Sequence, residues 1–293
     1  MDEVKRILWM AKFQKKKNWL NIRKILLEGI NKHPREPQLY NALGELYFNQ
    51  KLFSRAIDVY LDLLEINQTD ANIYFKIGNS FLSLQEYRLA IDYYEKIKFK
   101  FPELLYNKAY AYSKIGDYDK SLKIMQDIYH FPISSELPLI FISELYFAKK
   151  NYSHALKNLN KAEKMFGKQG TLYYLKGLAY SNMENWLKAY VEFEKADKLK
   201  VNNYHFYRAY GISCEKIGKT ERAIYLLLKS IKEQPGNSVS YIDLIRIYLE
   251  HNRIVEAYTL VMHAKKNIPF SISLSLLYSQ VMQRMKHYEK KND

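Results

Sequence analysis

Apolar side chains recur along this chain at helical spacing. Tyr173, Gly177 and Tyr180 stand at i, i+4 and i+7, and Trp186, Ala189 and Phe193 at i, i+3 and i+7, as on one stripe of an amphipathic helix. Short polar turns such as Ile115-Gly116-Asp117 and Ile217-Gly218-Lys219 separate paired stripes, and glycine there permits the positive φ that ends a helix. The pattern predicts a succession of helix–turn–helix units.

The units share one register. Ala56, Ala90, Ser121, Ala155, Ala189, Ala223 and Ala257 are separated by 34, 31, 34, 34, 34 and 34 residues. Sixteen residues upstream stands a ladder of large side chains: Tyr40, Tyr74, Leu105, Leu139, Tyr173, Tyr207 and Tyr241. Four residues after each of these come Gly44, Gly78, Ala109, Ser143, Gly177, Gly211 and Ile245; three further come Tyr47, Phe81, Tyr112, Tyr146, Tyr180, Cys214 and Tyr248. The small residue of the first helix lets the second pack closely, with the alanine filling the matching position. Where the step drops to 31, the pattern predicts a shortened helix end or tightened turn and an irregular pitch near residues 98–105.

This pattern resembles the tetratricopeptide repeat. Residues 71–104 carry the resemblance best, with Tyr74, Ile77, Gly78, Phe81, Ala90, Tyr94 and Pro102 in register. Closing prolines recur as Pro34, Pro235 and Pro269, and Pro132 sits one position early. The resemblance implies an all-α fold, a right-handed superhelical solenoid of antiparallel helix pairs. Read this way, the chain is a single solenoid over 3–293. Its repeats are 3–36, 37–70, 71–101, 102–135, 136–169, 170–203, 204–237 and 238–271, with a capping helix at 272–290. In the first repeat Trp9, Phe13, Trp19 and Leu26 take the packing slots. In the cap Leu274, Leu277, Tyr278, Val281, Met285 and Tyr288 form the inner stripe, with Ser271, Ser273, Gln283, Lys286 and Lys290 outside.

Composition narrows the chemistry. Aliphatic and aromatic residues make up 48% of the 293, enough for a continuous core. The single cysteine, Cys214, stands in a packing slot and excludes an intramolecular disulfide or a multi-cysteine zinc site. No GxGxxG, P-loop or HExxH motif occurs, and no histidine pairs with a cysteine at metal spacing. The expectation is a non-enzyme without cofactor or metal. The chain shows neither an apolar run long enough for a membrane span nor a secretory signal, which points to a cytoplasmic protein.

The net charge of +15 is unevenly placed: residues 1–36 carry ten basic and four acidic side chains. Lys12, Lys15, Lys16, Lys17, Arg23 and Lys24 define a basic patch, read either as a solvated cap or as a dock for nucleic acid, anionic lipid or an acidic protein. Base-reading helical repeats place recurring polar pairs at fixed positions, and none recurs here. A terminal repeat that is imperfectly capped offers a third possibility, self-association.

The resemblance implies that ligands lie on the concave surface, lined by the first helix of each unit. At about 100° per residue, positions one, five and eight after the large-residue ladder lie off the packing face. Those positions, with Phe141 beside them, yield a candidate partner-binding groove of Phe75, Asn79, Tyr106, Tyr110, Ile140, Phe141, Phe147, Tyr174 and Leu178, followed by Arg208 and Arg246. Rigid aromatics would anchor a peptide or protein at about 2 kcal/mol or more each, and the arginines would take a carboxylate. The competing reading is that these aromatics fill a narrow superhelix.

Overall fold

In a computed structural model, residues 3–13, 18–67, 70–132 and 134–292 are described, and among them every regular element is helical. The helices are α1 (Glu3–Phe13), α2 (Trp19–Lys32), α3 (Pro37–Asn49), α4 (Phe53–Ile66), α5 (Ala71–Ser83), α6 (Tyr87–Glu95), α7 (Pro102–Lys114), α8 (Tyr118–Gln126) and α9 (Leu137–Ala148). They continue as α10 (Tyr152–Phe166), α11 (Gly170–Asn182), α12 (Trp186–Lys198), α13 (Tyr204–Lys216), α14 (Thr220–Glu233), α15 (Ser238–Glu250), α16 (Ile254–Asn267) and α17 (Ile272–Asn292). A 3-10 turn, Asp127–His130, extends α8. No helix among the described residues is long and apolar enough to cross a membrane. The chain divides into two compact units, Met1–Pro138 and Leu139–Asp293.

The alanine ladder forms the seam of each hairpin: Ala56, Ala90, Ala155, Ala189, Ala223, Ala257 and Ser121 are all fully buried. The residue four places later does more of the packing than the sequence pattern indicates. Tyr60, Tyr94 and Phe193 lay their rings over Gly44, Gly78 and Gly177. Met125, Leu159 and Val261 occupy the same place opposite Ala109, Ser143 and Ile245, and are equally buried. Where the ring is large, the opposing side chain is absent; where that side chain is present, its partner is aliphatic. The interior volume is thereby nearly matched in these six hairpins, whereas in the seventh Gly211 faces Leu227, an aliphatic side chain.

Seven of the first helices, α3, α5, α7, α9, α11, α13 and α15, end in the same way. Lys51, Gln85, Gly116, Lys150, Glu184, Gly218 and Asn252 all have positive φ. The next residue's N–H then reaches back to the carbonyl of Tyr47, Phe81, Tyr112, Tyr146, Tyr180, Cys214 or Tyr248, the long bond of a Schellman cap. The following helix is often capped from its own sequence: the side chains of Asp117, Asn151 and Asn185 accept backbone N–H bonds from Lys120, His154 and Lys188.

Two details depart from the sequence pattern, at the first and last helices, and one follows it, at the 31-residue step. In α1 the buried face is Val4, Ile7 and Ala11, while Trp9 is 51% exposed. That face is set by Gly29 of α2, against which the Ile7 side chain is seated. The 31-residue step is accommodated by α6, which stops at Glu95 after nine residues. In the last helix Leu274, Leu277 and Val281 are buried, but Tyr288 is exposed. Phe270, Ile272 and Leu276 project outward beside the polar residues of that outer face.

Candidate partner-binding groove

First helices of neighbouring hairpins touch one another: α1 with α3 and α5 with α7 in the first unit, α11 with α13 and α13 with α15 in the second. Elements that meet across an intervening helix lie on the inside of a curved stack, so these helices line the inner surface of each unit.

In the first unit that surface carries a hydrogen-bonded polar row. The ammonium of Lys76 donates to Asn41 Oδ1 at 2.5 Å and to Glu45 Oε1 at 2.6 Å, tying α5 to α3. One helix on, Asn107 Nδ2 donates to Asn79 Oδ1 at 2.9 Å, and the Tyr94 hydroxyl donates to the same oxygen at 2.7 Å. Lys76 and Asn107 stand two residues past the large-residue ladder, a position the sequence reading did not assign to the groove. The carboxylate of Glu45 is thus already paired within the protein.

Beside the asparagine pair lies a concavity of about 550 Å³. Phe75, Tyr106, Phe131, Leu137 and Pro138 supply its apolar walls, and Asn79 and Asn107 lie at its polar edge. One wall comes from outside the paired helices: after the 3-10 turn that follows the nine-residue α8, Phe131, Pro132, Ser134 and Ser135 line the space together with Leu137 and Pro138 at the start of α9. Phe75 is held edge-on by Phe101, with ring centroids 5.0 Å apart. Once two amide hydrogen-bonding positions are used between them, the asparagine pair still presents a donor (Asn79 Nδ2) and an acceptor (Asn107 Oδ1). These are the complement of a peptide group.

Of the sequence-predicted residues, Phe75, Asn79 and Tyr106 meet at this concavity. Tyr110 instead leans edge-on to Tyr87, with the Lys114 ammonium 5.0 Å from its ring centroid. Phe131, Pro138 and Asn107 were missed. The early Pro132 and the Pro138 that follows it are the signal that could have found them, since they mark a chain leaving the helical stack.

In the second unit several predicted groove residues serve packing. Phe141 is buried, because it faces the hairpin core. Ile140 and Phe147 flank the core cluster of Leu139, Leu159, Ala162 and Leu172, and Phe147 also meets the Tyr152 ring edge-on at 5.7 Å. Tyr174 packs on Phe193 and Phe206, with centroids 6.3 and 5.9 Å away. Leu178 is half-buried against the same cluster. Arg208 already has a carboxylate partner, Asp243, at 2.6 Å. Arg246 is exposed and lines a separate cleft of about 550 Å³ with Leu249, Leu276, Gln280 and Arg284.

The basic patch is likewise partly engaged. Arg23 Nε donates to the Tyr47 hydroxyl at 2.8 Å, and Lys24 lies 3.9 Å from Glu28. Lys12 is exposed, and Lys15, Lys16 and Lys17 fall outside the described residues. Among the described residues no group of histidine, cysteine and carboxylate side chains could hold a metal ion.

These features define a class, the all-helical proteins built from repeated two-helix hairpins, and comparison with known proteins specifies it. Residues 22–68 match a family model described as YpiA-like tetratricopeptide repeats, and residues 71–97 and 102–128 each match a tetratricopeptide-repeat model. Anaphase-promoting complex subunit 3 of Schizosaccharomyces pombe is 21% identical over 200 residues, 67% of this chain and 30% of that protein. The chain thus spans under a third of the length of that relative. Among solved structures, the C-terminal part of a tetratricopeptide-repeat protein from Cytophaga hutchinsonii superimposes with a TM-score of 0.64 at 18% identity, over 80% of this chain and 97% of that one. The anaphase-promoting complex hetero-tetramer Cut9–Hcn1 aligns with a TM-score of 0.59 at 16% identity, over 94% of this chain and 55% of that one. The chain is a tetratricopeptide-repeat protein.

Proposed function

We propose that this protein is a non-enzymatic scaffold whose first unit binds an extended segment of a partner protein, seating an apolar or aromatic side chain beside Phe75, Tyr106 and Leu137. The observation that carries this reading is the concavity of about 550 Å³ in which those walls meet the Asn79–Asn107 pair. An apolar anchor and a matched backbone hydrogen-bonding edge together suit a peptide. The similarity to a protein named as a subunit of the anaphase-promoting complex agrees with a partner-binding role.

The test is a displayed library of random peptides selected on the full chain, with affinities of the selected peptides measured by fluorescence anisotropy. Tyr106→Ala and Leu137→Ser change side chains that are half-buried and exposed. Each should weaken binding roughly thirtyfold, as for an anchor contact, with little change in thermal unfolding. Selection of no peptide, or equal binding by parent and both variants, overturns the proposal.

A further inference from the structure

The second unit contains five arginines, and three of them are satisfied by carboxylates of the same unit. Arg208 meets Asp243 at 2.6 Å, Arg222 meets Asp197 at 3.0 Å, and Arg253 meets Glu221 and Glu256 at 2.7 and 2.9 Å. The other two, Arg246 on α15 and Arg284 on α17, have no carboxylate partner among the described residues. Both line the same cleft of about 550 Å³.

Two helices that pack on each other build this cleft. On α15, Arg246, Leu249 and Glu250 stand at i, i+3 and i+4, and on α17, Leu277 and Arg284 stand seven residues apart, so each set shares one helix face. Of the apolar lining, Leu249 and Leu277 are buried and Leu276 is 70% exposed. Arg284 is held in place, because its Nη1 donates to the Leu249 carbonyl at 2.8 Å. That bond uses one of the five N–H donors of a guanidinium and leaves the others for a ligand. Glu250 is the one acid of the lining. Two guanidinium groups and one carboxylate leave a single net positive charge.

We propose that the cleft between α15 and α17 binds a partner polypeptide through an acidic side chain that has an apolar residue beside it. The carboxylate sits between Arg246 and Arg284, where planar guanidinium groups match its two oxygens, and the apolar neighbour covers Leu249, Leu276 and Leu277. One carboxylate balances the net charge of the cleft. A phosphate dianion exceeds that charge and is repelled by Glu250. The proposal is independent of the concavity in the first unit, and either site can fail its test while the other passes.

The probes are octapeptides with blocked ends, a central Glu-Leu or Glu-Phe pair and randomised flanks, selected on the full chain and measured by fluorescence anisotropy. Replacing the peptide Glu by Gln should weaken binding roughly tenfold, and R246Q should weaken it roughly tenfold as well. The two changes together should cost far less than the product of the separate losses, as for groups in direct contact. R284Q should act like R246Q, with thermal melts confirming that both variants remain folded. K286Q removes the same charge from an exposed position of α17 outside the cleft, and should change affinity less than about twofold, as expected for a charge that does not touch the ligand. A peptide with phosphoserine in place of Glu should bind no tighter. Selection of no peptide, equal binding of Glu and Gln peptides, equal losses in R246Q and K286Q, or tighter binding of the phosphoserine form overturns the proposal. Binding abolished by Tyr106→Ala and untouched by R246Q also overturns it, and assigns the peptides to the concavity of the first unit.

Discussion

The ring of Phe193 lies directly over the Cα of Gly177: a β-carbon on that glycine would sit 2.5 Å from both Cδ1 and Cε1 of the ring. No side-chain adjustment absorbs that overlap, because Phe193 is fully buried and wedged among Tyr174, Phe206 and Tyr210. Gly177→Ala should therefore destabilise the protein by about 2–3 kcal/mol, the range of core overpacking. Combined with Phe193→Leu it should cost less than the two changes added, since Ser143 with Leu159 already shows that pairing in the same chain. Urea unfolding of the two single variants and the double variant measures the coupling; additive losses would show that the ring does not explain the glycine.

Helix-ending residues offer a test confined to the backbone. Glu184 holds φ at 56° with a side chain, and Gly218 holds φ at 77° at the equivalent place, with nothing within 4 Å of where its β-carbon would be. Left-handed backbone costs an L-residue about 1 kcal/mol. Glu184→Gly should raise the unfolding free energy by about that amount and Gly218→Ala should lower it similarly, both read from denaturant midpoints.

Buried Lys176 depends on Glu163. The hydrogen bond from Lys176, then that from the Tyr173 hydroxyl, hold the Glu163 carboxyl below its ordinary pKa. A carboxylate lowered in the folded state adds stability above its unfolded pKa, and that stability is lost as the pH falls through the folded value. Glu163→Gln should cost about 2 kcal/mol at pH 7, less than a fully buried pair because Glu163 is partly exposed. The gap between parent and variant should close as the pH drops below about 4, in unfolding curves taken at stepped pH.

Cys214 should behave as a core residue. Burial pushes its thiol up to about 12, with Arg222 and Lys219 opposing the rise, and its side chain is fully covered. Alkylation at pH 8 should proceed only as fast as the second unit opens. Labelling followed by mass spectrometry should track the unfolding rate; rapid labelling of the native protein would contradict this placement.

Tyr174 and Tyr106 occupy equivalent groove positions in sequence but differ in space. Tyr174→Ala should cost about 3 kcal/mol through loss of packing on Phe193 and Phe206, whereas Tyr106→Ala should cost much less. Paired thermal melts separate the two.

The hairpin repeat was legible because it rests on local terms. Helical spacing of Tyr173, Gly177 and Tyr180, the alanine ladder and the turn glycines follow from the geometry of one helix and its neighbour. Each recurs often enough to be read without coordinates. Packing between successive hairpins was not legible in the same way. That Trp9 faces outward and Ile7 inward depends on the shape of Gly29 on another helix. That Tyr174 fills a core while Tyr106 lines a concavity depends on which rings stand across from them. Spacing placed both on the inner face, yet beside Tyr106 the short α8 leaves a space walled by Phe131, Leu137 and Pro138. Periodicity records which way a side chain points from its own helix; whether it meets a neighbour there or a cavity is decided by volumes that other parts of the chain contribute.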